Sequence, residues 1–451
     1  MVRDAQGNAL TGATTEAAWL YDQAVHELQC YINDPVATVD AAIAASPEFV
    51  MAHVLRAQLH LLGTEAAGLP AARDSLETAA ALPADERERT HLAAIRDFVT
   101  GDFFGGREKL EDILIAHPRD ALALQAAHLW DFYLGDSRNL RDRIARVIYA
   151  WNTSVPGYHA VLGMYAFGLE ECGDYARAEA LGREAVALND RDGWAQHAVA
   201  HVLEMQGRTA EGIAWMRGNV AGWATESFFA VHNWWHLALY HLDRGEIDQV
   251  LALYDGPIRG KRSTVILDLI DASALLWRLY LRGIDVGTRW NELAEAWSPM
   301  ATDAFYVFND CHALMAFLGA GRRDLVETVF DAMVRRVGKG GTNDAMTRDV
   351  GLPVARALHA FDRGDYRQTI TLLRPVRATD YRFGGSHAQR DLLDLTLVEA
   401  ALRSGDHALA RALASERIEA KPMSPVARLF AARAGMIAAD DRAPVAAGLA
   451  R

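Results

Sequence analysis

Residues 157–188 read GYHAVLGMYAFGLEECGDYARAEALGREAVAL. An apolar run with helical spacing ends at Gly173. A second run opens at Asp174 and places Ala178, Leu181, Ala185 and Leu188 on one face. Glycine between the runs tolerates a backbone reversal that a side chain would resist. The stretch therefore predicts a helical hairpin.

The plan recurs on both sides. Gly63, Gly101, Gly135, Gly173, Gly207, Gly245, Gly283, Gly321, Gly364 and Gly405 are separated by 38, 34, 38, 34, 38, 38, 38, 43 and 41 residues. HVLEMQGRTAEGIAWM (201–216), HLDRGEIDQVLALYD (241–255) and ALHAFDRGDYRQTITLLR (357–374) each repeat helix, glycine, helix. In every unit the helix before the glycine is helix A and the one after it helix B. Self-similarity of this length predicts stacked helical hairpins. A chain of 451 residues then needs no second core. Longer loops are expected near 83–90, 255–263, 338–348 and 378–386.

The unit length, the Gly-Asp-Tyr turns at 173–175 and 364–366, and a small residue seven before the turn glycine (Ala94, Ala166, Ala200, Ala238, Ala357) resemble the tetratricopeptide repeat superfamily. More narrowly, WAQHAVAHVLEM (194–205), HNWWHLAL (232–239), FNDCHALM (308–315) and GGSHAQRD (384–391) look like the tetratricopeptide repeat protein 38 family. The resemblance implies an all-α, right-handed superhelical solenoid of tetratricopeptide-like hairpins. About eleven would fill residues 1–451, with 1–45 and 420–451 as terminal caps. It also implies that A helices line a concave groove, at positions 13, 10, 9, 6 and 3 before the turn glycine.

Composition narrows the partners. The net charge is −13, with no block of Lys and Arg, which argues against nucleic acid. Cys30, Cys172 and Cys311 lie far apart without a CxxC pair, which argues against a disulfide framework or a cysteine-based zinc knuckle. The N-terminus lacks a basic segment followed by an apolar core, so no secretory signal is read there. No run of 18 uncharged apolar residues predicts a membrane span. A soluble, cytoplasmic protein is the expectation.

Histidines are the candidate chemistry. His197, His201 and Glu204 fall 10, 6 and 3 residues before Gly207, and His232 and His236 fall 13 and 9 before Gly245. Each histidine pair is spaced i,i+4, one helical turn apart. Consecutive A helices packed side by side would bring four imidazoles together, a donor set for a divalent transition metal, zinc first. Glu204, Asp310 and His312 are the candidate catalytic groups beside it, as ligand or general base. Trp194, Asn309, His387 and Arg390 are the candidate substrate contacts. The last two follow Gly384-Gly385-Ser386, where a helix start with Ser386 as its N-cap would favour an anion. His53 and His91 hold the same register without an evident partner. Buried histidines also serve simply as hydrogen-bonded core residues, and that reading stays open.

Among motifs with a known mechanism, GxSxG, HExxH, a Walker loop and GxGxxG are all missing. Three readings remain. The groove could hold a small molecule, with metal-dependent hydrolysis as the natural reaction. It could bind a peptide without catalysis, or it could be filled by a second copy of the chain.

Overall fold

The computed structural model describes residues 2–436, so the expected C-terminal cap at 420–451 falls partly outside the described residues. These residues are all-helical. They contain no strand, only the isolated bridges Arg3–Ala9 and Ile32–Ser227. None of their helices is long and apolar enough to cross a membrane. Helices adjacent in sequence pack as neighbours, as with Tyr158–Glu170 against Tyr175–Leu188. Packing divides the chain into two compact units. The first comprises the residues up to Val199, with Asn219–Ala230 and Gly340–Thr342. The second comprises Ala200–Gly218, Val231–Lys339 and the chain from Asn343.

The turn glycines have a physical reason. Nine of the ten, from Gly101 to Gly405, adopt positive φ between 66° and 89°. Most have open space where a Cβ would stand, so the demand is conformational. Gly63 is the exception, at φ −69°, and its successor Thr64 takes the left-handed angle instead, at φ 53°. After Gly101, Gly135, Gly364 and Gly405 the next residue is aspartate, and its role is specific. Asp102, Asp136, Asp365 and Asp406 each accept a hydrogen bond from the backbone N–H three residues on, at 2.9–3.1 Å. At these four turns glycine ends one helix and aspartate caps the next, whereas Asp174 after Gly173 makes no side-chain cap.

The small residues seven before the glycine, Ala94, Ala166, Ala200, Ala238 and Ala357, are all fully buried. They allow close helix contact. A Cβ on Gly212 would sit 2.3 Å from the Tyr240 ring. The Tyr240 hydroxyl donates to the Ala200 carbonyl at 2.6 Å, pinning helix Ala230–Asp243 to the second half of helix Gly193–Met205.

The expected loops are shorter than the sequence suggests. In 83–90, Asp85 and Glu88 form a capping box that opens helix Glu86–Thr100. In 255–263, helix Ile247–Leu253 continues through a wide turn at Tyr254–Ile258. In 338–348, Gly338, Gly340 and Gly341 take positive φ and helix Thr342–Met346 follows. In 378–386, a 3-10 turn occupies Asp380–Phe383.

Candidate functional site

The site is built on three helices. Gly193–Met205 carries His197, His201 and Glu204. Ala230–Asp243 carries His232 and His236. Ile266–Leu281 carries Asp271 and Arg278. The Tyr240–Ala200 hydrogen bond fixes the register of the first two, and the His201 and His236 ring centroids stand 4.5 Å apart. His232 and His236 lie one turn apart at 4.9 Å, edge to face.

A ring nitrogen from each of His201, His232 and His236 lies within 4.8 Å of the other two. His197, a fourth buried histidine, lies one turn back on the helix that carries His201. All four are buried, and His201 and His236 have no exposed surface. Burial pushes both of these well below the ordinary histidine range, helped by the neighbouring imidazoles, so they are neutral and keep a lone pair. Such a group of buried imidazoles could hold a metal ion.

Carboxylates orient the rings. His232 Nδ1 lies 2.9 Å from Asp271 Oδ2, and His236 Nδ1 lies 3.3 Å from Glu204 Oε2. A carboxylate on Nδ1 puts the proton there and the lone pair on Nε2, the arrangement found around metal-ligating histidines. Burial raises the Asp271 carboxyl, against the opposing pull of His232. Lys421 Nζ reaches the other Glu204 oxygen at 3.4 Å. Glu204 also lines a cavity of about 50 Å³, together with Asp243, Arg278, Arg282, Asp391 and Lys421. That is room for a few waters or the head of a small ligand. The cations differ in their partners. Arg417 pairs with Asp391 at 2.7 Å, whereas Arg278 donates to the Ala388 and Ala274 carbonyls and Arg282 to that of Leu242. Burial lowers both Arg278 and Arg282, the latter to about 10.

The remaining sequence candidates are dispersed around this centre. His387, first residue of helix His387–Ser404, lies near enough to His201 to act on its charge. The expected N-cap is present. Ser386 accepts from the Gln389 N–H at 3.3 Å, and Gln389 accepts in return from the Ser386 N–H at 3.0 Å. Arg390 turns back to the Gly385 carbonyl and stands 4.0 Å from Asp380. His312 donates through Nδ1–H to the Phe308 carbonyl, 2.8 Å away, and its ring lies against Phe308. Asp310 is buried beside Asp303 and the Ala304 backbone, and burial pushes its carboxyl up to about 7. Asn309 is buried in the first turn of helix Val307–Gly319. Trp194 stacks on Tyr31 and contacts His128, Phe167, His197 and Phe229, so it is part of an aromatic core.

The other two histidines in groove register have structural partners. His91 Nε2 lies 2.9 Å from Asp120, which also binds Arg87, and His53 Nε2 lies 2.9 Å from the Pro47 carbonyl. Sequence reasoning missed Asp271, Arg278 and Lys421. For Asp271 there was a signal, an acid inside the apolar run ILDLIDASALLW (266–277). Lys421 follows the last turn glycine's hairpin and had none. No family model matches this chain.

Proposed function

We propose that the chain is a right-handed tetratricopeptide-like solenoid of the cytoplasm whose histidine cluster binds one divalent transition metal, zinc by its donor set, for hydrolysis of a small molecule. His201, His232 and His236 form a three-imidazole face, and His197 is the fourth candidate ligand. What carries this reading is the convergence of the three buried imidazoles of His201, His232 and His236, two of them with a carboxylate behind Nδ1. A divalent metal in such a site acidifies a bound water and polarises a carbonyl. Three imidazoles leave a position open for that chemistry, whereas four complete a tetrahedron.

The chain's own groups supply the rest. Glu204 faces the cluster and the cavity, so it can take a proton from water or substrate at its carboxylate oxygen. Arg278 and Arg282 hydrogen-bond only backbone carbonyls among the described contacts, and can orient an anionic substrate group. Asp310 and His312 are the candidate catalytic groups, and Asn309, His387 and Arg390 the candidate substrate contacts, around the centre, whereas Trp194 packs in the aromatic core beside His197. Burial of the imidazoles counts against a face that clasps an extended peptide, since such a face must be open.

The test is metal content of untagged full-length protein, by inductively coupled plasma mass spectrometry, for wild type and His201→Ala. One equivalent fewer in the variant supports the reading. Identical content in both after reconstitution refutes it.

A further inference from the structure

A second set of metal-type donors lies in the first unit, formed by one helix end and one helix start. His26 and Cys30 are spaced i,i+4 in the last two turns of helix Thr15–Cys30, and His159 is the second residue of helix Tyr158–Glu170. Tyr31 closes the first helix in the left-handed region at φ 59°. One donor atom from each of His26, Cys30 and His159 lies within 4.8 Å of the other two. Cys30 Sγ is 3.8 Å from His26 Nδ1.

Two neighbours show the polarity of the space between them. The Asn189 amide nitrogen lies 3.4 Å from Cys30 Sγ and 3.2 Å from His159 Nε2. One N–H donor is thus shared by a sulfur and an imidazole lone pair, in the position that suits a cation. Behind His159, Nδ1 lies 2.8 Å from Asp192 Oδ2. The carboxylate places the proton on Nδ1 and leaves Nε2 as the ligand atom. The other Asp192 oxygen accepts from the Ala195 N–H at 2.8 Å, so the carboxylate is itself held in place.

We infer that His26, Cys30 and His159 form a second metal site, taking a thiophilic divalent ion such as zinc through one sulfur and two nitrogens. Thiolate and imidazole together select zinc over magnesium or calcium. The alternative use of this trio, Cys30 as a nucleophile, is blocked because Cys30 is 0% exposed. An ion enters from the exposed His26 side. On binding, the thiol gives up its proton to solvent and the sulfur–metal bond forms in its place, so uptake strengthens with rising pH. The fourth position falls to water, since Asn189 Oδ1 already accepts from the Arg191 N–H at 3.1 Å.

The experiment uses untagged full-length protein loaded with cobalt(II), for wild type, Cys30→Ser, His26→Ala and His201→Ala. The near-ultraviolet band of a thiolate–cobalt bond reports this site alone, because the larger histidine cluster contains no sulfur. The band is expected in wild type and His201→Ala, and its loss in Cys30→Ser and His26→Ala, with one equivalent less cobalt in each. His26 is exposed, so its variant keeps the wild-type circular dichroism. A wild-type protein without the band, or a Cys30→Ser variant with the full wild-type cobalt content, overturns the assignment. Neither outcome depends on the larger cluster binding metal.

Discussion

The first unit holds a buried histidine–aspartate pair at His91–Asp120, and the second holds one at His232–Asp271. They join the same two residue types and differ in kind. Asp120 is surrounded by donors: Arg87 at 2.6 Å, His91 at 2.9 Å and the Ala123 N–H at 2.8 Å. Against the cost of burial these hold its carboxyl well below the ordinary range. Asp271 has His232 as its hydrogen-bonding partner, and burial leaves its carboxyl raised. Among the described residues no other imidazole contacts His91, whereas His232 belongs to a cluster with His201 and His236. A carboxylate whose charge is fully matched fastens the fold. One that is under-matched and backs an imidazole cluster is suited to sharing a cation's charge.

Substitution of the two aspartates should separate these roles most sharply. Asp120→Asn removes the counter-charge of a buried Arg87 and should cost about 3–5 kcal/mol in urea unfolding, with metal content unchanged. Asp271→Asn should do the reverse, weakening metal uptake about tenfold to a hundredfold, as loss of a histidine's supporting carboxylate does elsewhere. Equal stability losses in both variants, with equal metal content, would erase the distinction.

Buried histidines in both units should respond to acid in the same direction. Burial lowers His128 in the first unit to about 3, and His312 in the second to about 4, from 6.5. Below pH 6.5 the unfolded chain takes up protons that these folded rings refuse, so stability falls as pH falls. The loss is on the order of 3 kcal/mol per ring between pH 6.5 and 4. Asp120, depressed in the fold, adds to the loss only below its unfolded value, near pH 4. Raised carboxyls such as Asp310 work in the opposite sense over this range, so the check is the melting-temperature difference between wild type and His128→Asn, which should shift steadily against the wild type as pH falls from 7 to 4; a difference independent of pH would contradict this account.

The smallest contrast concerns two turns that the sequence makes look alike. Gly101→Ala forces a side chain to φ +89° and should cost about 1–2 kcal/mol. Gly63→Ala meets only an ordinary 3.7 Å contact with Glu65 at a right-handed angle. It should leave stability unchanged or raise it by about 0.4–1 kcal/mol. Equal losses in thermal unfolding would show that the two turns are not distinguished by φ.

Local order was legible in the sequence because helix ends are specified locally. The recurring glycine, the alanine seven before it and the i,i+4 histidines are all patterns within a single hairpin. Ser386 could be named as a cap for the same reason. The site's supporting groups were not legible, because they are chosen by packing. Asp271 comes from the next A helix, and Lys421 lies 217 residues beyond Glu204. Trp194 held a groove register, yet ring stacking draws it into the core. Cys30 was set aside because no cysteine lay near it, whereas its companions are histidines, one of them 129 residues further on.

The Gly–Asp turns bear on how the chain finds its structure. Around Gly101 the closing bonds run from Gly101 to Phe98, from Asp102 to Asp97 and from Gly105 to Asp102, a reach of three to five residues. Little loop-closure entropy is lost before such a hairpin gains its contacts. Nucleation can begin at any of several turns, and chains rich in local contacts fold in microseconds to milliseconds. The imidazoles and Cys30 meet only after separate hairpins have docked. Both sets of donors are therefore assembled late, on a framework already formed, and a truncated chain would keep its helices long after losing them.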